Sequence, residues 1–274
     1  MGPEPLSKIE RLLQTHFPWG QPGFPERRED LELEVSTWIT RQLLERGCAN
    51  TALALHSRLQ AVLDEIVSGL PTDERNRLFY RSDLSHLVKS PASILDKMVR
   101  DWTPGPTGPR FSFANFLDEM EDLARFRLVL NFLSDVEGVG ARIEEPFQCE
   151  PQARGRLTSA QRALFEDFGL KENCLRDLIH LPPKDRRSGE RCRKGVFYPR
   201  NGPRISVEVQ IQSMLEEAWD KKDHFLIYER RRRGEPVGTD HNIVMHAMSE
   251  LLYVADLTFD RLLKGIRQQR GGGA

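Results

Sequence analysis

Two carboxylates and a scattered set of cations carry the chemistry legible in this chain of 274 residues. Glu208 sits on the polar side of 204–212, where Ile205, Val207, Val209 and Ile211 alternate with Arg204, Ser206, Glu208, Gln210 and Gln212. That period of two is the mark of a half-buried strand. Ser93, Lys97 and Arg100 follow one another at steps of four and three, so they share one face of a helix. Ser90-Pro91 opens that helix and Lys89 stands at its entrance. Free N–H groups at a helix start, beside a cationic and hydroxylic face, suit a polyphosphate. The third piece is Asp122 at the mouth of a strand, with Arg127 five residues on. Any one of these pieces alone is most often a solvated surface. Together they have the composition that phosphoryl-type transfer requires, with cations against phosphate charge and acids to hold a metal and activate a nucleophile.

The elements that position these groups follow from periodicity. Residues 1–28 read as an arm, because FPWGQPGFPERR holds three prolines and two glycines. Helical spacing over 29–46 and 50–68 predicts a helical layer covering 29–72. A strand is expected near 79–88, a helix to about 101, a loop over 103–110 and a short helix over 113–121. ARFRLVLNFL reads as a strand, and 134–170 as one or two helices broken by Pro146 and Pro151. A segment at 175–181 and a hairpin of 195–199 with 204–212, turning at Asn201-Gly202, come next. Then comes a helix with Met214, Leu215, Ala218, Trp219, Phe225 and Leu226 on one stripe. A last helix over 242–267 carries Ile243, Ala247, Leu251, Ala255, Phe259, Leu262 and Ile266. The expected fold class is α+β, a mixed sheet flanked by helices, with a main domain over 73–268 and a tail over 269–274.

Composition narrows the function. A formal charge of −1 with 30% charged residues excludes a chain-wide polyanion binder, so anion affinity must come from local clusters. Four dispersed cysteines fit neither a disulfide framework nor a zinc site, and a reducing, cytoplasmic place of action is expected. No apolar run reaches a membrane span and the N-terminus lacks a signal-peptide core, although toxins are also exported without one. GxxxxGK[ST], GxGxxG and HExxH are all missing.

In this order the pieces resemble the synthetase domain of the RelA/SpoT family, over about residues 75–265. KSPASILDKMVR looks like its nucleotide helix, DLARFRLV its acid-to-arginine strand, EVQIQS and AWDKKDH its second acidic strand and following helix, and RDLIHLPPK its K-D-Y-I-x-x-P-K segment. The resemblance implies a nucleotidyltransferase-like sheet and transfer of the β,γ-pyrophosphate of ATP, with Mg2+, to a ribose 3′-hydroxyl, typically of GDP or GTP. It implies that Lys89, Ser93, Lys97, Arg100 and Arg127 hold the ATP phosphates, that Asp122 ligates Mg2+, and that Glu208 binds metal or takes the hydroxyl proton. Arg176, Lys184, Arg191, Arg193, Gln210 and His224 become the acceptor candidates. The toxin members of the family imply adenine nucleotides or the tRNA 3′ end as further acceptors, and an antitoxin or immunity protein as partner. A homo-oligomer is also within the family's range, and a catalytically inactive nucleotide-binding regulator is the alternative of a different class. The family's hydrolase half depends on a His-Asp dipeptide, which this chain lacks.

Two departures stand out. The family carries an arginine where this chain has Leu87, which leaves His86 or Arg81 to supply that ATP contact. The acceptor loop has no stacking tyrosine: Glu190 or Arg193 falls there, depending on register. Between Lys184 and Lys194 six basic and two acidic residues give a local net of +4, which favours a larger polyanionic acceptor.

Overall fold

The structure, a computed structural model, describes residues 28–72, 74–101, 110–181, 189–232 and 235–271. Residues 1–27 of the expected 1–28 arm, Lys184 and nearly all of the expected 103–110 loop lie outside the described residues, and Arg28 opens the first helix. In chain order the main elements are α1 (Arg28–Arg46), α2 (Cys48–Ser68), β1 (Phe79–Asp83), α3 (Pro91–Arg100), β2 (Ala124–Leu130), α4 (Leu133–Gln148), α5 (Ser159–Asp167) and β3 (Phe168–Leu170). They continue with β4 (Arg176–Asp177), β5 (Arg193–Pro199), β6 (Val207–Ser213), α6 (Met214–Asp223) and α7 (Thr239–Gly271).

The strands form one mixed sheet in the order β1-β2-β6-β5-β3, with β4 also paired to β5. β2 and β6 run parallel, and the other pairs are antiparallel. One face of the sheet carries Phe126, Leu128, Phe197, Val207, Val209 and Ile211 into a core shared with Leu55, Leu59, Val62 and Leu63 of α2 and Val136, Val139 and Ile143 of α4. The opposite face carries Arg125, Arg127, Lys194, Glu208 and Gln210, because successive residues of a strand point to opposite sides. The mixed, helix-flanked sheet and the long last helix are the α+β architecture that the periodicities predict.

Several boundaries differ from expectation for local reasons. β1 stops at Asp83, whose carboxylate accepts the Ser85 N–H at 3.1 Å and turns the chain. Strand pairing resumes only at the Val88–Ala124 bridge. Pro146 does not break α4: it lies inside the helix, and Arg142 O, the acceptor left free by the missing N–H, takes the Gln161 side-chain amide at 2.8 Å. The 175–181 segment shrinks to β4, since Asp177 Oδ1 accepts the Ile179 N–H at 2.8 Å and curls the chain.

The helical stripes change most. After α6 the chain continues as a π-turn, His224–Tyr228, whose extra residue shifts the phase of the stripe. Trp219, Ile227 and Met245 bury together, while Met214, Phe225 and Leu226 stay exposed. α7 docks through Met245, Leu252, Tyr253 and Leu257 and through polar groups. Ser213 donates to Asp256, the Ser134 hydroxyl donates to Asp260 at 2.7 Å, and the Ser249 hydroxyl donates to Gly189 O at 2.6 Å. Its predicted apolar stripe faces outward at Ile243, Leu251, Phe259, Leu262 and Ile266. No helix among the described residues is long and apolar enough to cross a membrane.

Candidate active site

α3 is built as its sequence predicts. The Ser90 hydroxyl accepts the Ser93 N–H at 3.3 Å, Pro91 occupies the first turn, and Ile94, Leu95 and Met98 bury the inner face. The opposite face turns Lys97 toward the mouth of β2. Lys89, just before the cap, is fixed by its own backbone N–H, which bonds Leu123 O at 2.8 Å.

Asp122 is the point on which these cations converge. Lys89 Nζ lies 2.6 Å from Oδ2 and Lys97 Nζ 2.6 Å from Oδ1, so each carboxylate oxygen has its own ammonium. Burial alone would raise the Asp122 pKa, but Lys89 and Lys97 hold it well below the ordinary carboxylate range. Lys89 shifts the other way for a lysine. Burial lowers its pKa more than Asp122 restores it, and Lys97 and Arg125 push in the same direction as burial. Ser93 lies beside the cap, with its hydroxyl 2.9 Å from Ser90 Oγ. Arg100, at the exposed end of the helix, is 3.4 Å from Asp101.

Glu208 stands across the sheet from this cluster, paired in register with Arg125 of β2. Lys194 Nζ is 3.0 Å from Glu208 Oε2. Burial would depress the Lys194 pKa, yet Glu208 and Glu190 raise it above that of a free lysine. Gln210 ties the strands together: its amide donates to Glu208 at 3.1 Å and Glu190 at 3.2 Å, and its oxygen accepts from Arg127 Nε at 2.8 Å. Arg127 also pairs with Asp220 of α6 at 2.7 Å.

The acceptor candidates separate. Arg176 of β4 lies in register with Lys194 and is exposed at the rim of this face. His224 sits in the π-turn, with its ring centroid 4.9 Å from that of Tyr228 and its Nε2 3.5 Å from Glu229. Arg193 does not join them. It emerges on the core side of β5, where it packs on Gly140 and pairs with Glu144 of α4 at 2.7 Å. Arg191 is also withdrawn: it is buried, donates to Ile179 O at 2.7 Å, pairs with Glu250 at 2.7 Å and stacks over Tyr253. Strand alternation turns Arg193 away from Lys194, while Arg191, which precedes β5, is held by Glu250 and Tyr253 of α7.

The sequence reading missed Lys194, Glu190 and Asp220 as partners of the acids and of Arg127. Lys194 was within reach, since extending the β5 alternation two residues upstream places it on the face of Val196 and Tyr198. Arg81 is not free to replace an arginine at Leu87, because Glu217 holds it.

No protein-family model matches the sequence, and no curated protein does. Solved structures do. The small alarmone synthetase 1 of Bacillus subtilis bound to its product pppGpp superposes with a TM-score of 0.59 at 17% identity, covering 85% of this chain and 99% of that one. The chain has the fold of the small alarmone synthetases. The same protein bound to AMPCPP gives a TM-score of 0.53 at 15% identity, covering 84% of this chain and 98% of that one. Small alarmone synthetase 2 of the same organism gives 0.53 at 17%, covering 82% and 98%. Within this synthetase fold the two acids lie toward the N-terminal ends of the parallel pair β2 and β6, and the capped helix α3 faces the first of them.

Proposed function

We propose that this protein is an ATP-dependent pyrophosphokinase that transfers the β,γ-pyrophosphate of ATP to the ribose 3′-hydroxyl of a guanine nucleotide, GDP or GTP. The observation that carries the reading is Asp122 held between Lys89 and Lys97 at the foot of a polyphosphate-type helix, with Glu208 on the adjacent parallel strand. In the proposed step the acceptor oxygen forms a bond to the β-phosphorus, the bond from that phosphorus to the α-phosphate bridging oxygen breaks, and AMP leaves. Glu208 takes the hydroxyl proton, with the Lys194 charge beside it. Lys89, Ser93, Lys97, Arg100 and Arg127 position the donor phosphates, and Arg176, Gln210 and His224 are the described candidates for holding the acceptor. The agreement in fold with synthetases solved with pppGpp and with AMPCPP supports the choice of substrates.

Magnesium is the metal that this donor set fits. Among the described residues no group of three or more His, Cys, Asp or Glu side chains could hold a metal by itself. Magnesium characteristically binds one or two carboxylates and completes its shell with substrate phosphates and water. Asp122 and Glu208 are the carboxylates that would hold it, and it would neutralise charge on the phosphates.

The deciding experiment supplies the protein with ATP labelled on the γ-phosphate, Mg2+, and GDP, GTP, ADP, ATP or tRNA in separate reactions. Label on GDP or GTP is expected. Asp122→Asn and Glu208→Gln should each lower turnover by about 10² or more while leaving the fold intact, since each removes charge from a site that works by charge placement. Label on tRNA or adenine nucleotides alone would replace the guanine acceptor with a toxin-type one. ATP binding with no transfer to any acceptor would replace the enzyme with a nucleotide-binding regulator.

A further inference from the structure

Almost every cation on the catalytic face is already committed to a carboxylate. Lys89 and Lys97 share Asp122, Arg127 pairs with Asp220, Lys194 pairs with Glu208, and Arg81 pairs with Glu217. Arg125 is different. Among the described residues it has no ion-pair partner, although it is half-buried on the strand between the two acids. It follows Asp122 by three positions and lies in register with Glu208. Its positive charge reaches Lys89, where it makes the ammonium easier to deprotonate.

The backbone fixes where that side chain leaves the sheet. The Arg125 N–H donates to Leu87 O at 2.9 Å, so Arg125 issues from the strand beside the position left apolar by Leu87. Arg125 lines a small cleft with Asp83, Ser85, His86, Arg127 and Gln210, and the Asp83 carboxylate there is already engaged by Ser85, Arg81 and Lys221. A half-buried guanidinium with no carboxylate in ion-pair contact is costly by itself, and the cost is recovered when an anion arrives.

We propose that Arg125 is a phosphate-binding residue of the donor site, and that its guanidinium grips the polyphosphate in the gap between Asp122 and Glu208. This rests on the pyrophosphokinase reading for the identity of the donor, but not on the transfer reaction. The planar fork gives two parallel hydrogen bonds to phosphoryl oxygens, which the point charge of a lysine does not. Arg125 would thus supply, from the neighbouring strand, a cation that Leu87 does not.

The test uses inorganic tripolyphosphate with Mg2+, a probe with no base and no acceptor, titrated calorimetrically into the full chain. Arg125→Gln should weaken its binding by about tenfold or more, and Arg125→Lys should recover part of that loss with an unchanged melting temperature. Unaltered tripolyphosphate affinity in Arg125→Gln overturns the proposal. So does weaker ATP binding with tripolyphosphate unaffected, which would place the guanidinium against the base instead. If Arg125→Gln fails to fold, Arg125→Lys decides: an intermediate affinity supports the fork, and wild-type affinity rejects it. A wild-type chain that binds tripolyphosphate in an Arg125-dependent way yet transfers nothing sinks the enzyme reading and leaves this one standing.

Discussion

Lys194 Nζ and Glu208 Oε2 lie 3.0 Å apart across the β5–β6 pair, and the contact leaves only 11% of the Glu208 side chain and 24% of Lys194 in solvent. Truncating one partner strands the other. For a fully buried pair that costs about 3–5 kcal/mol, and the partial exposure of Lys194 reduces the expectation to about 2 kcal/mol. Lys194→Met should therefore lose about 2 kcal/mol in urea unfolding at neutral pH. The double variant with Glu208→Gln should lose less than the sum of the two single changes. Strict additivity in that cycle would show that the pair contributes nothing.

Lys97 holds the second oxygen of Asp122 and stands half-buried on the polar face of α3. Lys97→Ala should weaken a non-hydrolysable ATP analogue by about tenfold, because one charge-assisted contact to phosphate is lost. Acceptor preference should not move. Calorimetry beside initial rates with two acceptors reads both, and unchanged affinity and rate would return Lys97 to the solvated surface.

Arg193 and Arg176 should part company under mutation. Glu144 is buried, and Arg193 is its cation. Arg193→Ala should thus lower stability by about 2 kcal/mol or more and leave the acceptor KM alone. Arg176→Ala, on the exposed β4, should do the reverse, raising the acceptor KM with the melting temperature unchanged. An Arg193 variant that melts normally but loses acceptor binding would reverse the assignment.

Asp256 gives the fold a pH dependence. Burial, then the neighbouring Asp260, raise its pKa to about 6 even though the Ser213 hydroxyl donates to it. An acid whose folded pKa is above its unfolded value binds more protons folded. Its favourable contribution is therefore present at low pH and declines as pH rises from about 4 through about 6. At one pKa unit per about 1.4 kcal/mol, the change across that window is roughly 3 kcal/mol. Asp256→Asn should flatten this part of the stability profile and raise the melting temperature at pH 7.5. An equal pH slope in wild type and variant would assign the dependence elsewhere.

The elements that carry the proposed donor residues were legible because their information is local. Ser90-Pro91, the four-and-three spacing of Ser93, Lys97 and Arg100, and the alternation around Glu208 each lie within a dozen residues, and the structure forms both elements they mark, α3 and β6. What could not be read depends on distant partners. The side of β5 on which Arg193 emerges is set by where the strand begins, and a start at 195 leaves both Arg193 and Lys194 in a loop without a face. The last helix misled for a related reason. Its strongest periodicity is the outward stripe from Ile243 to Ile266, while the docking face mixes Met245, Leu252, Tyr253 and Leu257 with the buried Ser249, Asp256 and Asp260, which interrupt its apolar signal.

β6 lies between β2 and β5, although β2 comes far earlier in the chain than either of its neighbours on that side. Such an insertion makes the centre of the sheet a late event, since the loop joining β2 to β6 must close before their contacts offset its entropy. During synthesis α3, Asp122 and β2 emerge first, and Glu208 follows only after α4, α5 and β5. A nascent chain that has reached β5 thus carries the cations and the first acid but has no second acid to set against them. Under the proposed function, activity would appear only after β6 inserts beside β2, which would make it a clock for that step of folding.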